Sequence, residues 1–209
     1  MMTDSNIAAA YDVLAERWLD ANFDQSNGAA MHWRALSFLR DKEKGTALNV
    51  GCGCNTRFNA VMRERGLALE GIDISSRMVE LARKADPDAT IYHADACTWT
   101  PTKSYDFVTA WDSIWHVNLT EQRPLMLKLM GALEVGGVFL FTAGGLDTEG
   151  WHVDDAMGPQ VYYSTLGMPG LLKVIDEAGC VCRHLEFDQL PHPHLAVIVQ
   201  RMSSCQKCD

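Results

Sequence analysis

The stretch Leu48-Asn49-Val50-Gly51-Cys52-Gly53-Cys54-Asn55 constrains this chain more than any other, because an apolar run ends there in two glycines and a helical pattern comes after it. A second apolar run, Ala68 to Asp73, then ends on a carboxylate. A strand that enters a tight glycine turn and opens a helix, beside a strand tipped by Asp or Glu, is how open α/β sheets hold a ribose-bearing cofactor. Which cofactor it is has to come from the rest of the chain.

The surrounding pattern fits such a sheet. Thr46 to Val50, Ala68 to Asp73, Ala89 to His93, Tyr105 to Trp111 and Val138 to Thr142 read as strands. Helical patterns near 57–65, 77–85 and 121–133 separate them, and this alternation predicts a parallel sheet with helices on both faces. A helix over 168–178 precedes 180–188 and 194–201, two strands whose short Pro-containing link allows only antiparallel pairing. The expected fold is therefore α/β, a Rossmann-like doubly wound sheet of seven strands, mostly parallel, with a C-terminal antiparallel hairpin. Two N-terminal helices, over 7–21 behind a Ser5 or Asn6 cap and over 28–40, are expected to lie over the site.

One domain suits 209 residues of which 47% are hydrophobic. Its expected parts are a helical cap (1–45), a cofactor-binding core (46–145), a substrate-facing loop without clear structure (146–166), a C-terminal helix and hairpin (167–201) and a flexible tail (202–209). A net charge of −9 without any block of like charges lacks the basic footprint of nucleic-acid binding. No apolar run approaches the roughly 18 residues that span a bilayer, and the start shows no secretory pattern. The expectation is a cytoplasmic protein, monomer or homodimer, with a small-molecule partner and neither nucleic acid nor membrane. Seven scattered cysteines suit reduced thiols. The pairs Cys180/Cys182 and Cys205/Cys208 do not form a convincing metal set, so no metal is expected.

The glycine turn alone fits two cofactors. A dinucleotide fingerprint requires a third glycine, and Thr56 stands in its place. Through this turn and four further segments, the chain resembles the class I S-adenosylmethionine-dependent methyltransferases, in particular small single-domain members acting on small molecules. Leu48 to Asn55 resembles the first motif of that family, Gly71-Ile72-Asp73-Ile74-Ser75 the second and His93-Ala94-Asp95-Ala96 the third. Tyr105 to His116 resembles the fourth, and Leu133 to Leu140 the turn before the fifth strand.

The resemblance implies S-adenosylmethionine as cofactor and methyl transfer to an oxygen, nitrogen or sulfur of a small molecule. It implies that Gly51 and Gly53 offer backbone N–H groups to the methionine portion. Asp73 would accept from the ribose hydroxyls, Asp95 would meet the adenine amino group, Ile74 would cover the base and Ala96 would leave it room. Asn49 departs from the family, which commonly has an acidic residue there, so the charge complementing the cofactor's ammonium group falls to another residue or is lost.

Aromatic walls suit a sulfonium, and Tyr11, Trp18, Trp111 and Trp115 are candidates. His116, just past the fourth strand, is the candidate base. Trp151, His152, Tyr162 and Tyr163 are candidates to shape the acceptor pocket, while Asp112 and Ser113 are expected to shape their loop. Two other readings stay open at this level: a non-catalytic module that binds the cofactor as a sensor or partner subunit, and a nicotinamide-dependent oxidoreductase.

Overall fold

A computed structural model describes residues 4–20, 23–40 and 44–203. Ala21, the stretch 41–43 and the tail with Cys205 and Cys208 lie outside the described residues. Six α-helices occur in the described residues: α1 (Asp4–Leu14), α2 (Ala29–Leu36), α3 (Asn59–Glu64), α4 (Ser76–Ala85), α5 (Leu119–Gly131) and α6 (Gly167–Glu177). The strands are β1 (Gly45–Val50), β2 (Leu67–Asp73), β3 (Thr90–His93), β4 (Tyr105–Ala110), β5 (Leu133–Gly144), β6 (Gly150–Asp154), β7 (Val161–Thr165), β8 (Cys180–Phe187) and β9 (His194–Arg201).

Seven strands form one sheet in the order β3-β2-β1-β4-β5-β9-β8. The first five are parallel, and β9 pairs antiparallel with both β5 and β8. Both faces are covered, which is why β4 is buried along its whole length. Leu48, Val108, Phe139 and Val197 point to one face and pack with α5 and α6. Ala47, Phe107, Leu140 and Ala196, their neighbours in sequence, point to the other and pack with α2 and α3. The strand order reverses between β1 and β4, so a crevice opens beyond the carboxyl ends of β1, β2 and β4.

Several elements differ from the sequence reading. The segment 146–166 is not structureless: β6 and β7 form a two-stranded antiparallel sheet, pairing Trp151 with Ser164 and His152 with Tyr163. Its β-branched and aromatic residues carry strand propensity, but Gly and Asp between them masked the alternation. The first helix does not run on as one α-helix, since Ala15–Leu19 tightens into a 3₁₀ turn. The second ends at Leu36, four residues short of expectation. Helix α5 stops at Gly131, and β5 already begins at Leu133, earlier than Val138.

The loop after β3 is held from below. The Lys128 ammonium on α5 donates to the carbonyls of Ala96 (2.6 Å), Cys97 (2.7 Å) and Trp99 (2.9 Å). The Cys97 N–H donates to Asp95 Oδ1 (2.8 Å) and the Trp99 N–H to the Asp95 carbonyl (2.8 Å). Replacing the charged donor leaves three carbonyls to find water. Lys128→Met is expected to lower stability by about 1–3 kcal/mol in urea unfolding. It should also raise amide exchange at Cys97 and Trp99 while leaving β5 amides as slow as before.

Candidate active site

A cleft of about 340 Å³ lies at that crevice, floored by the glycine turn and by the ends of β1, β2 and β4. Gly51 and Gly53 both adopt positive φ, +64° and +61°. At Gly51 a side chain is doubly barred, since a Cβ there would sit 2.3 Å from the Ser113 Cβ. Gly53 lies under Trp18, with room for no more than ordinary contact.

Asp73 ties two elements together. Its Oδ2 accepts the Gly53 N–H and its Oδ1 the Ser75 N–H, each at 2.9 Å. Burial holds its pKa above the usual carboxylate value, and the two N–H bonds oppose that rise. Each oxygen keeps a further lone pair for a ligand. The N-cap of α4 is Ser75, whose Oγ accepts the Met78 N–H at 3.1 Å.

Helix α1 forms a roof. Asp12 Oδ1 accepts from Ser75 Oγ (2.6 Å) and from the Arg77 N–H (3.0 Å), fixing α1 to the start of α4. Ile7 and Ala10 pack on Val161 of β7. The Tyr11 hydroxyl reaches His116 Nε2 at 2.6 Å, and the Trp115 indole N–H donates to the same nitrogen at 3.0 Å. His116 Nδ1 lies 2.9 Å from the Tyr162 carbonyl, which can only accept, so the ring proton belongs on Nδ1 and Nε2 receives both donors. Burial pushes the pKa of His116 down to about 4 and raises that of Tyr11. The imidazole is neutral and the phenol protonated.

The far wall is aromatic, with Trp111 against His32 (ring centroids 5.6 Å apart), Phe58 (6.2 Å) and His194 (5.7 Å). Asp112, the residue after Trp111, takes φ +54°, the one non-glycine positive φ among the described residues. Its N–H donates to Thr142 Oγ1 at 2.8 Å and its Oδ1 meets His194 Nε2 at 2.9 Å. His194 Nδ1 in turn reaches Asp188 Oδ1 at 2.5 Å. Burial opposes charge on His194, but the bonds to the two carboxylates outweigh it and raise its pKa. Arg57 projects from the glycine turn into the same cleft. Its Nε–H and the Nε1–H of Trp111 are buried without a hydrogen-bond partner.

The cleft brings together Asn49, Gly51, Gly53, Asp73, Ile74, Asp95, Ala96, Tyr11, Trp18, Trp111, Trp115, His116 and Tyr163. It does not include Trp151, His152 or Tyr162 in its lining. Trp151 is 63% exposed and stacks on Tyr162, and His152 stacks on Tyr163 from outside. Side chains alternate along a strand, so Trp151 and Tyr162 lie on the face opposite Tyr163, while His152 shares the face of Tyr163 and stacks on its ring without lining the cleft. Sequence reasoning missed Arg57, Gln189 and His194, all of which line the cleft. Arg57 stood four residues past Gly53 and was open to notice. His194 carried no signal, because pairing across the sheet brings it to Asp112.

The two neutral buried histidines make a pH dependence. Unfolded histidines take a proton at about pH 6.5. Folded His116 does so only at about 4 and His32 only at about 3, both through burial. Stability contributed by their neutral forms is therefore lost as pH falls from about 6.5 towards 4. His194 acts oppositely, adding stability at low pH that fades as pH rises. The expected outcome is a urea midpoint that drops between pH 7 and pH 5 in the native protein and drops less in His116→Gln, a difference of about 1–3 kcal/mol.

Residues 48–141 match the methyltransferase domain family. Phosphoethanolamine N-methyltransferase 2 of Caenorhabditis elegans is 29% identical over 63% of this chain and 31% of its own length. Trans-aconitate 2-methyltransferase of Methylobacterium radiotolerans is 34% identical over 44% of this chain and 35% of its own. The chain thus spans about a third of these curated relatives. In fold it is similar to magnesium protoporphyrin IX methyltransferase from Synechocystis, crystallised with bound S-adenosylmethionine. The two superpose with a TM-score of 0.71 at 13% identity, over 96% of this chain and 98% of that one. The motif-bearing segment 48–141 thus matches the methyltransferase domain family, and over nearly its whole length the chain is similar in fold to a solved methyltransferase.

Proposed function

We propose that the chain transfers a methyl group from S-adenosylmethionine to an oxygen, nitrogen or sulfur of a small molecule held in this cleft. The observation that carries the reading is one continuous cleft. It joins the Asp73 carboxylate and the loop after β3 to an aromatic chamber closed by the Tyr11–His116 contact.

The residues present fit the cofactor. Asp73, with one lone pair per oxygen uncommitted to the backbone, would accept the ribose hydroxyls. Asp95 would meet the adenine amino group, Ile74 would cover the base, and Ala96 would leave space for it. Gly51 and Gly53 would present backbone to the methionine portion, with Asn49 and Trp18 beside it. When bound, the sulfonium supplies an electrophilic methyl group for in-line displacement.

The chain's own contribution is positioning and exclusion of water. Met157 and Tyr163 from the hairpin, with Ile7 and Tyr11 from α1, close the cleft over the acceptor. His116 holds the Tyr11 hydroxyl through a lone pair. Tyr11 thereby presents its oxygen to the acceptor's proton and can pass its own proton to Nε2. Trp111, Trp115 and Tyr163 would wall the acceptor. Trp151, His152 and Tyr162 would act behind them, keeping the hairpin rings in place.

On this reading the protein works in the cytoplasm as a monomer or homodimer, and the net charge of −9 favours a small-molecule partner over nucleic acid. No helix in the described residues is long and apolar enough to cross a membrane.

Two experiments test it. Asp73→Asn is expected to weaken S-adenosylhomocysteine binding at least tenfold by calorimetry, and unchanged affinity would remove Asp73 from the site. In an acceptor panel read by S-adenosylhomocysteine release, Tyr11→Phe and His116→Gln should each lower kcat by about ten- to a hundredfold. The double variant should be no worse than either. Additive losses would show that the two residues do not act as a unit.

A further inference from the structure

Arg57 is a half-buried cation whose buried Nε–H has no hydrogen-bond partner in the fold. Its guanidinium lies over the rings of Phe58 (4.4 Å to the centroid) and Phe23 (4.9 Å), two cation–π contacts that restrict where it can point. Nη1 donates to Asn55 Oδ1 at 3.2 Å. Nε is buried without a partner. Asp112 and Asp24 act on it only through their fields, the first being engaged by His194 and the second by Ser26. What remains is the Nε–Nη2 edge, the side on which a guanidinium grips a planar carboxylate with two parallel bonds.

Resting on the cofactor reading above, we propose that Arg57 binds the α-carboxylate of the cofactor's methionine portion. Arg57 lies in the same turn as Gly51 and Gly53 and lines the same cleft as Asn49. Asn49 is an amide, so the end of the cofactor that bears both ammonium and carboxylate meets a neutral acceptor on the β1 side and a fixed cation on the other. Recognition there runs through the anion rather than through the ammonium group. An unpaired buried N–H donor is costly to keep without an acceptor, and a bound carboxylate removes that cost.

The test compares S-adenosylhomocysteine with its decarboxylated analogue, which keeps the ammonium group, by calorimetry on the full chain. The native protein is expected to bind the decarboxylated compound at least tenfold more weakly. In Arg57→Met that preference should vanish, with S-adenosylhomocysteine weakened at least tenfold and the analogue changed less than twofold. Arg57→Lys keeps a cation beside Phe23 and Phe58 but lacks the fork, and it should lose most of the preference while still folding. Equal weakening of both ligands would mean a structural role and overturn the assignment. Unchanged S-adenosylhomocysteine affinity would overturn it too, handing Arg57 to another anion. If the native protein bound neither compound, the cofactor reading itself would fall.

Discussion

The two N–H bonds that end on the Asp73 carboxylate hold the rest of the site in register. Gly53 belongs to the turn after β1 and Ser75 to the turn after β2, so one side chain spans two adjacent crossovers. The turns are otherwise linked through the strand pairing beneath them and through the Gly51 and Cys52 N–H bonds to the Ile72 carbonyl. A buried carboxylate with a raised pKa is expensive, and it persists because backbone donors are fixed where its charge needs them. From Ser75 the chain of bonds continues to Asp12 and so to α1. The same residue that would meet the ribose also sets where the roof begins.

Much of this was legible in the sequence. Strands β1, β2 and β4 and the glycine turn are local patterns: apolar runs, punctuation by glycine, a carboxylate at a strand tip. Gly51, Gly53, Asp73, Asp95 and His116 could be picked out because their neighbours in sequence are also their neighbours in space. His194 and Lys128 could not. His194 reaches Asp112 because β9 pairs with β5 antiparallel, which brings its first residue to the carboxyl end of the parallel strands. Lys128 sits among ordinary helix residues, and its three carbonyl partners lie about thirty positions earlier. The hairpin of β6 and β7 was hidden for a third reason. Its strands are short, β6 is mostly exposed, and β7 is held by distant partners, Val161 by Ile7 and Ala10 and Ser164 by Gln122, which a residue pattern does not display.

The two ends of the cleft are built by different means. The side formed by β1, β2 and β3 relies on main-chain donors and short loops, which tolerate little change. The side beyond β4 is assembled from side chains of separate elements, with Phe58 edge to face on Trp111, Trp115 edge to face on His194, and His194 tilted against Trp111. Asp112 holds a left-handed backbone there, and for an Asp this costs about 1–2 kcal/mol, offset by its bonds to Thr142 and His194. Such a wall can be altered ring by ring without disturbing the glycine turn.

Helix α1 meets the sheet domain chiefly through side chains: Asp12 on the start of α4, Tyr11 on His116, Ile7 and Ala10 on Val161. None of its backbone groups takes part in the sheet's ladders. A segment attached this way can detach at a free-energy cost well below that of unfolding the core. Ile7 and Tyr11 of this helix line the cleft, so how closely the cleft is covered rests on a few side-chain contacts of one helix rather than on the packing of the sheet core.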